Sequence, residues 1–169
     1  MFNEIFLVIV SLVGALYDWR ARRIPNWLTF GTFFIVLIVN LISFNFTGAL
    51  NCFIGFLAGI ALLAIPYVVG WMGAGDVKLL GAIGAIVGFK YVILIFVYTT
   101  IWGLVLGLLW IILKPGHFKF LITTAQVLPA VDKKQKFPYG VVIFLGTISY
   151  IMAGAKPLLK LGISLPLWQ

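Results

Sequence analysis

Long apolar runs, broken in only a few places by charged residues, dominate this 169-residue chain. A helix needs roughly 20 mostly apolar residues to cross the ~30 Å hydrocarbon core of a bilayer. Runs of about that kind recur along the chain, at approximately 2–17, 27–46, 50–71, 77–88, 91–113 and 138–154. Hydrophobic residues make up 63% of the chain and charged ones 9%, against about 45–50% and about 25% in an ordinary globular domain. That balance excludes a disordered chain, a nucleic-acid-binding domain and an enzyme with a polar shell. The expected fold is an all-α membrane protein: one integral domain over 1–169, built as a bundle of six transmembrane helices.

The start of the chain has no basic n-region, and its first apolar run ends in charges rather than a small-residue cleavage site. No cleavable signal peptide is expected. The single cysteine, Cys52, lies inside an apolar run, so an intrachain disulfide or a cysteine-ligated metal is excluded. It reads as a small buried hydrophobe. Neither a metal nor a cofactor is implied.

Basic residues choose the orientation. With both termini outside, Arg20, Arg22, Arg23, Lys78, Lys114, Lys119, Lys133, Lys134 and Lys136 face the cytoplasm, while only Lys90, Lys156 and Lys160 lie outside. This asymmetry follows the positive-inside rule. The net charge of +8 therefore reads as topology and attraction to anionic headgroups, not as a nucleic-acid surface. Trp19, Trp27, Trp71 and Trp168 fall at expected interfaces. The polar stretch Lys114 to Lys136 holds the only histidine, His117, read as solvated, and an apolar segment, Phe118 to Val131, suited to lie along the interface.

The fourth run is too short to span by itself. Asp76 to Gly88 covers 13 residues, about 20 Å of helix at about 1.5 Å per residue. It must be enclosed by protein or sit where the bilayer thins. Small residues four apart, Gly55/Gly59, Gly84/Gly88 and Gly103/Gly107, are placed to let helix backbones approach closely.

Four acids remain to be placed: Glu4, Asp18, Asp76 and Asp132. Glu4 reads as an outer-interface charge, and Asp132 as solvated among Lys133, Lys134 and Lys136. Asp18 ends the first span and Asp76 starts the fourth, so both lie at one depth near the cytoplasmic face. Ionisable groups there are either helix-end charges or a functional site. Two carboxylates sharing a small space cannot both ionise readily. The ionised one can take a proton from water while the protonated one hydrogen-bonds a substrate carbonyl and assists departure of the amide. The approach to Asp76, Gly73-Ala74-Gly75, is free of bulk, so a peptide could come close. The same four residues could equally be a turn and a helix cap.

Three segments together resemble the type IV prepilin peptidases, membrane aspartic proteases of the GxGD class. They are Asp18 with the downstream Arg22-Arg23-Ile24-Pro25-Asn26, then Gly73-Ala74-Gly75-Asp76-Val77-Lys78-Leu79, and last Lys136-Phe137-Pro138-Tyr139-Gly140. The resemblance implies a catalytic pair, Asp18 and Asp76. Gly73 and Gly75 would shape the approach, with Lys78 beside it; Pro25 and Asn26 would fix the loop after Asp18. Pro138, Tyr139 and Gly140 would open the last span. It also implies cleavage, at the cytoplasmic face of a prokaryotic inner membrane, of prepilin-like substrates carrying a basic leader before a hydrophobic helix. The chain lacks the paired-cysteine region of larger members that also methylate their product. It is similar to the short, peptidase-only type serving tight-adherence (Flp) pili.

A different class of function fits the same two acids: a small proton-coupled transporter or ion-conducting subunit with Asp18 and Asp76 as a proton relay. That reading needs a polar path across the bundle, and the second, third, fifth and sixth runs contain no acid or base.

Overall fold

The computed structural model describes residues 2–70, 72–113 and 139–154, and within them every regular element is a helix. In chain order these are α1 (Phe2–Ala21), α2 (Asn26–Val68), α3 (Ala74–Val87), α4 (Phe89–Leu113) and α5 (Tyr139–Met152). Trp71, the stretch 114–138 with His117, Asp132 and Pro138, and the tail with Lys156, Lys160 and Trp168 lie outside the described residues.

α2 is two helices in sequence. Asn45, at φ 59° and ψ −154°, interrupts it with a backbone conformation that is not helical. The limbs double back at that point: the Phe33 ring lies 4.4 Å from that of Phe56. In a straight helix, residues that far apart in sequence would be separated by more than about 30 Å. The second and third runs are thus joined by a one-residue break, not by a loop over 47–49. Thr47 and Gly48, just beyond the break, remain helical. With α2 counted as two, six helical segments are described. Three stretches, Asn26–Ser43, Asn45–Val68 and Phe89–Leu109, are long and apolar enough to cross a membrane.

Other boundaries move by about a turn. α1 continues through Asp18 to Ala21, because hydropathy marks where lipid should end, not where backbone hydrogen bonding stops. α3 starts at Ala74, with Gly73 as its N-cap, and ends at Gly88, whose φ of 83° turns the chain into α4. Glycine is suited to that left-handed backbone.

α3 is the centre of the bundle. It contacts α1, α2, α4 and α5, most extensively α2. Val77 and every residue from Leu79 to Ile86 are buried. The expected short, protein-enclosed fourth element is therefore present. Its partner surface is glycine: a Cβ on Gly55 would collide with the Gly84 carbonyl oxygen, and one on Gly59 with the Leu80 carbonyl. The Gly55/Gly59 pair thus seats α3 on the second limb of α2. Gly84 meets it from α3, as does Gly81 by touching Phe56 and Ile60. The third pair differs: Gly107 has nothing within 4 Å, and Gly103 faces Tyr139.

α5 packs between α1 and α4. A Cβ on Gly146 would strike Thr99 of α4, and Trp102 Nε1 donates to Ser149 Oγ at 2.7 Å. The start of α5 meets the last turn of α1, where the Gly140 N–H reaches Asp18.

Candidate active site

Asp18 stands in the last turn of α1, where hydropathy would leave it in water. Its neighbours Tyr17, Trp19 and Arg20 are exposed, yet Asp18 is only 7% exposed. What covers it is the first turn of α5. The Gly140 backbone N–H donates to Asp18 Oδ2 at 2.7 Å. A helix leaves its first N–H groups without intrahelical partners, and its positive dipole end favours an anion. Asp18 thus caps another helix across the bundle. Burial pushes its carboxyl above the ordinary aspartate range, while the Gly140 N–H and then Arg22 oppose that rise.

Asp76, 6% exposed, is the third residue of α3. Its Oδ2 accepts the backbone N–H of Gly73 at 3.2 Å, and its own N–H donates to the Gly73 carbonyl at 3.2 Å. This is the carboxylate half of a capping box; Gly73, lacking a side chain, answers with backbone alone. Gly73 thus holds Asp76 through its backbone N–H.

Gly140 of α5 holds Asp18, and α5 also touches α3, the helix that carries Asp76. The structure thereby brings Asp18, Asp76, Tyr139 and Gly140 to one end of the bundle.

The loop after Asp18 is fixed at several points. Arg22 closes α1 with its N–H on the Asp18 carbonyl at 2.8 Å, adopting φ 49°. Pro25 sits at the N-cap of α2 with φ −69° and ψ 139°, and its carbonyl accepts the Leu28 N–H at 3.2 Å. Proline biases the preceding Ile24 away from helix, so two helices cannot fuse here. Ile24 lies against the approach to Asp76: a Cβ on Gly75 would sit 3.1 Å from Ile24 Cβ and 3.3 Å from its nitrogen. Lys78 Nζ donates to Asn26 Oδ1 at 3.0 Å and lies 5.4 Å from the centre of the Phe30 ring. Edge-to-face packing of Tyr17 on Trp27, 6.1 Å between ring centres, spans the same loop.

Sequence reasoning missed Ile24 as the residue that lies on Gly75, and Phe30 as the ring beneath Lys78. Spacing gives the second signal: Asn26 and Phe30 are four apart, and so share a face of α2. Among the described residues, no group of three His, Cys, Asp or Glu side chains could hold a metal ion.

Comparison with known proteins gives the fold its family. The model of the type IV leader peptidase family matches residues 5–108, a stretch that includes Asp18, Pro25, Asn26 and the segment Gly73 to Leu79. Pro138, Tyr139 and Gly140 lie beyond the match. No curated protein and no solved structure matches. Covering well over half of the chain, from within α1 into α4, the match shows that this chain belongs to the type IV leader peptidase family.

Proposed function

We propose that the protein is an aspartic endopeptidase that removes the basic leader from prepilin-like substrates, using Asp18 and Asp76 together. One observation supports this pairing above all. The two buried acids, 58 positions apart in sequence, stand at one end of the bundle, where Ile24 of the loop after Asp18 lies against Gly75 beside Asp76 and the Gly140 N–H of a third helix holds Asp18.

The chemistry follows from sharing a proton. One ionised carboxylate takes a proton from water as the oxygen attacks the scissile carbonyl. The protonated partner hydrogen-bonds the carbonyl oxygen and then protonates the departing nitrogen. The C–N bond breaks, one carboxylate leaves each turnover carrying the proton from water, and the other has given its own away. The pair titrates as a unit. Gly73 and Gly75 leave the approach clear, while Pro25, Asn26 and Lys78 hold the loop behind it. Pro138 precedes the turn that supplies Tyr139 and Gly140.

Six crossings with both termini outside would put this end of the bundle at the cytoplasmic face of a prokaryotic inner membrane. The substrate helix would remain among lipid and offer its cytoplasmic end to the acids. Asp18→Asn and Asp76→Asn, purified and reconstituted, are each expected to abolish leader cleavage while keeping the helical content of the parent. Retained cleavage by either variant removes the pair as the catalyst.

A further inference from the structure

We infer that Lys78 is a positioning residue: clasped by Asn26 and the Phe30 ring, it locks the loop that follows Asp18 onto the helix that carries Asp76. This deepens the proposed function and rests on that reading of the two acids.

Asp18 and Asp76 sit on helices that make little direct contact, and α1 and α2 touch even less. Their spacing depends on what ties the intervening segments together. α5 supplies one tie, through Gly140. The other is the meeting of one face of α3 with one face of the α1–α2 junction. Gly75 and Lys78 are three apart and share a face of α3, as Asn26 and Phe30, four apart, share a face of α2. Ile24 lies on Gly75 at 3.1 Å from a would-be Cβ, and Lys78 Nζ reaches Asn26 Oδ1 at 3.0 Å and the Phe30 ring at 5.4 Å. The loop is therefore fastened at both of its sides, once by apolar contact and once by a cation.

A simple charge role for Lys78 fits poorly. Residues two apart on a helix do not face each other, and its contacts are the neutral Asn26 and Phe30. The ammonium also lies beside the first turns of α2 and α3, whose dipoles disfavour a cation. Position is what it gains: three donor hydrogens and a charge that holds both an amide oxygen and an aromatic face.

The test uses the full chain in lipid nanodiscs, with buried Cys52 replaced by alanine and spin labels at the exposed positions 20 and 74. Pulsed electron resonance reads the distance between the ends of α1 and α3. Lys78→Met and Asn26→Ala are each expected to broaden that distance distribution, and the double variant no more than either alone. Lys78→Arg, which keeps a donor and a cation over Phe30, should restore the narrow distribution. In cleavage, kcat should fall by about 10²-fold, the scale of a 1 Å misplacement, with KM nearly unchanged. An unaltered distance in both single variants, or additive effects in the double, overturns the clasp. A broadened distance with undiminished cleavage upholds the clasp and instead defeats the pairing of Asp18 with Asp76.

Discussion

At Gly140 a single methyl group would land 2.8 Å from Cβ and 3.0 Å from Oδ2 of Asp18. One of the two must then move, and the 2.7 Å hydrogen bond between them is lost. Gly140→Ala is therefore expected to cut leader cleavage by about 10²-fold while the chain still inserts and folds, read by steady-state kinetics beside circular dichroism. The burial of Asp18 bears on stability. Because burial raises the Asp18 carboxyl above its ordinary value of 3.8, the folded state holds that proton more tightly than the unfolded one. The stability this confers is full below pH 3.8 and is lost as pH rises through the higher folded value. Asp18→Asn should consequently melt higher than the parent at neutral pH and no differently below pH 3.8, although it cleaves nothing. In the proposed reading Asp18 would then be a catalytic group that weakens its own fold, a common trade in enzymes.

Helix pairing here is glycine chemistry, and its two grades of contact can be separated. A Cβ on Gly84 would meet the Gly55 carbonyl oxygen across the α2–α3 contact, whereas one on Gly107 would meet nothing within 4 Å. Gly84→Ala should lower stability by about 1–3 kcal/mol, the usual cost of overpacking, and Gly107→Ala should leave it unchanged, as thermal unfolding in detergent would show. The spacing of small residues announced both pairs alike; only the structure separates them, because a four-residue period says that a backbone can approach and not which one does. The reversal at Asn45 was illegible for a related reason. Its conformation, φ 59° and ψ −154°, is one that glycine adopts most readily, so Gly48 was the better turn signal on sequence alone. By contrast, α3 could be read closely, since its shortness and its flanking glycines are properties of the local chain.

The whole molecule can be oriented by chemistry. In the proposed topology Arg23 and Lys90 lie on opposite sides of the membrane, and α3 is all that takes the chain from one level to the other after Gly73. Cysteines placed at 23 and 90 should react with a membrane-impermeant maleimide from opposite faces of sealed vesicles; labelling of both from one face refutes the six-crossing arrangement. The two acids could be singled out from the sequence because the chain has only four. Gly140, the partner of Asp18, could not be derived from pattern, since contact between residues 18 and 140 is a matter of tertiary packing; the motif resemblance pointed to Pro138, Tyr139 and Gly140 without saying what they touch. That arrangement also sets a timetable for biosynthesis. α3 is 14 residues long, bears Asp76 and Lys78, and finds its apolar surroundings only in other helices. A translocon would have little reason to release it into lipid by itself. Nor does Asp18 gain its amide donor until α5 has been made. Under the proposed mechanism, a ribosome still translating the first four helices would carry a chain whose Asp18 lacks its Gly140 donor, so cleavage is expected only once α5 has been made.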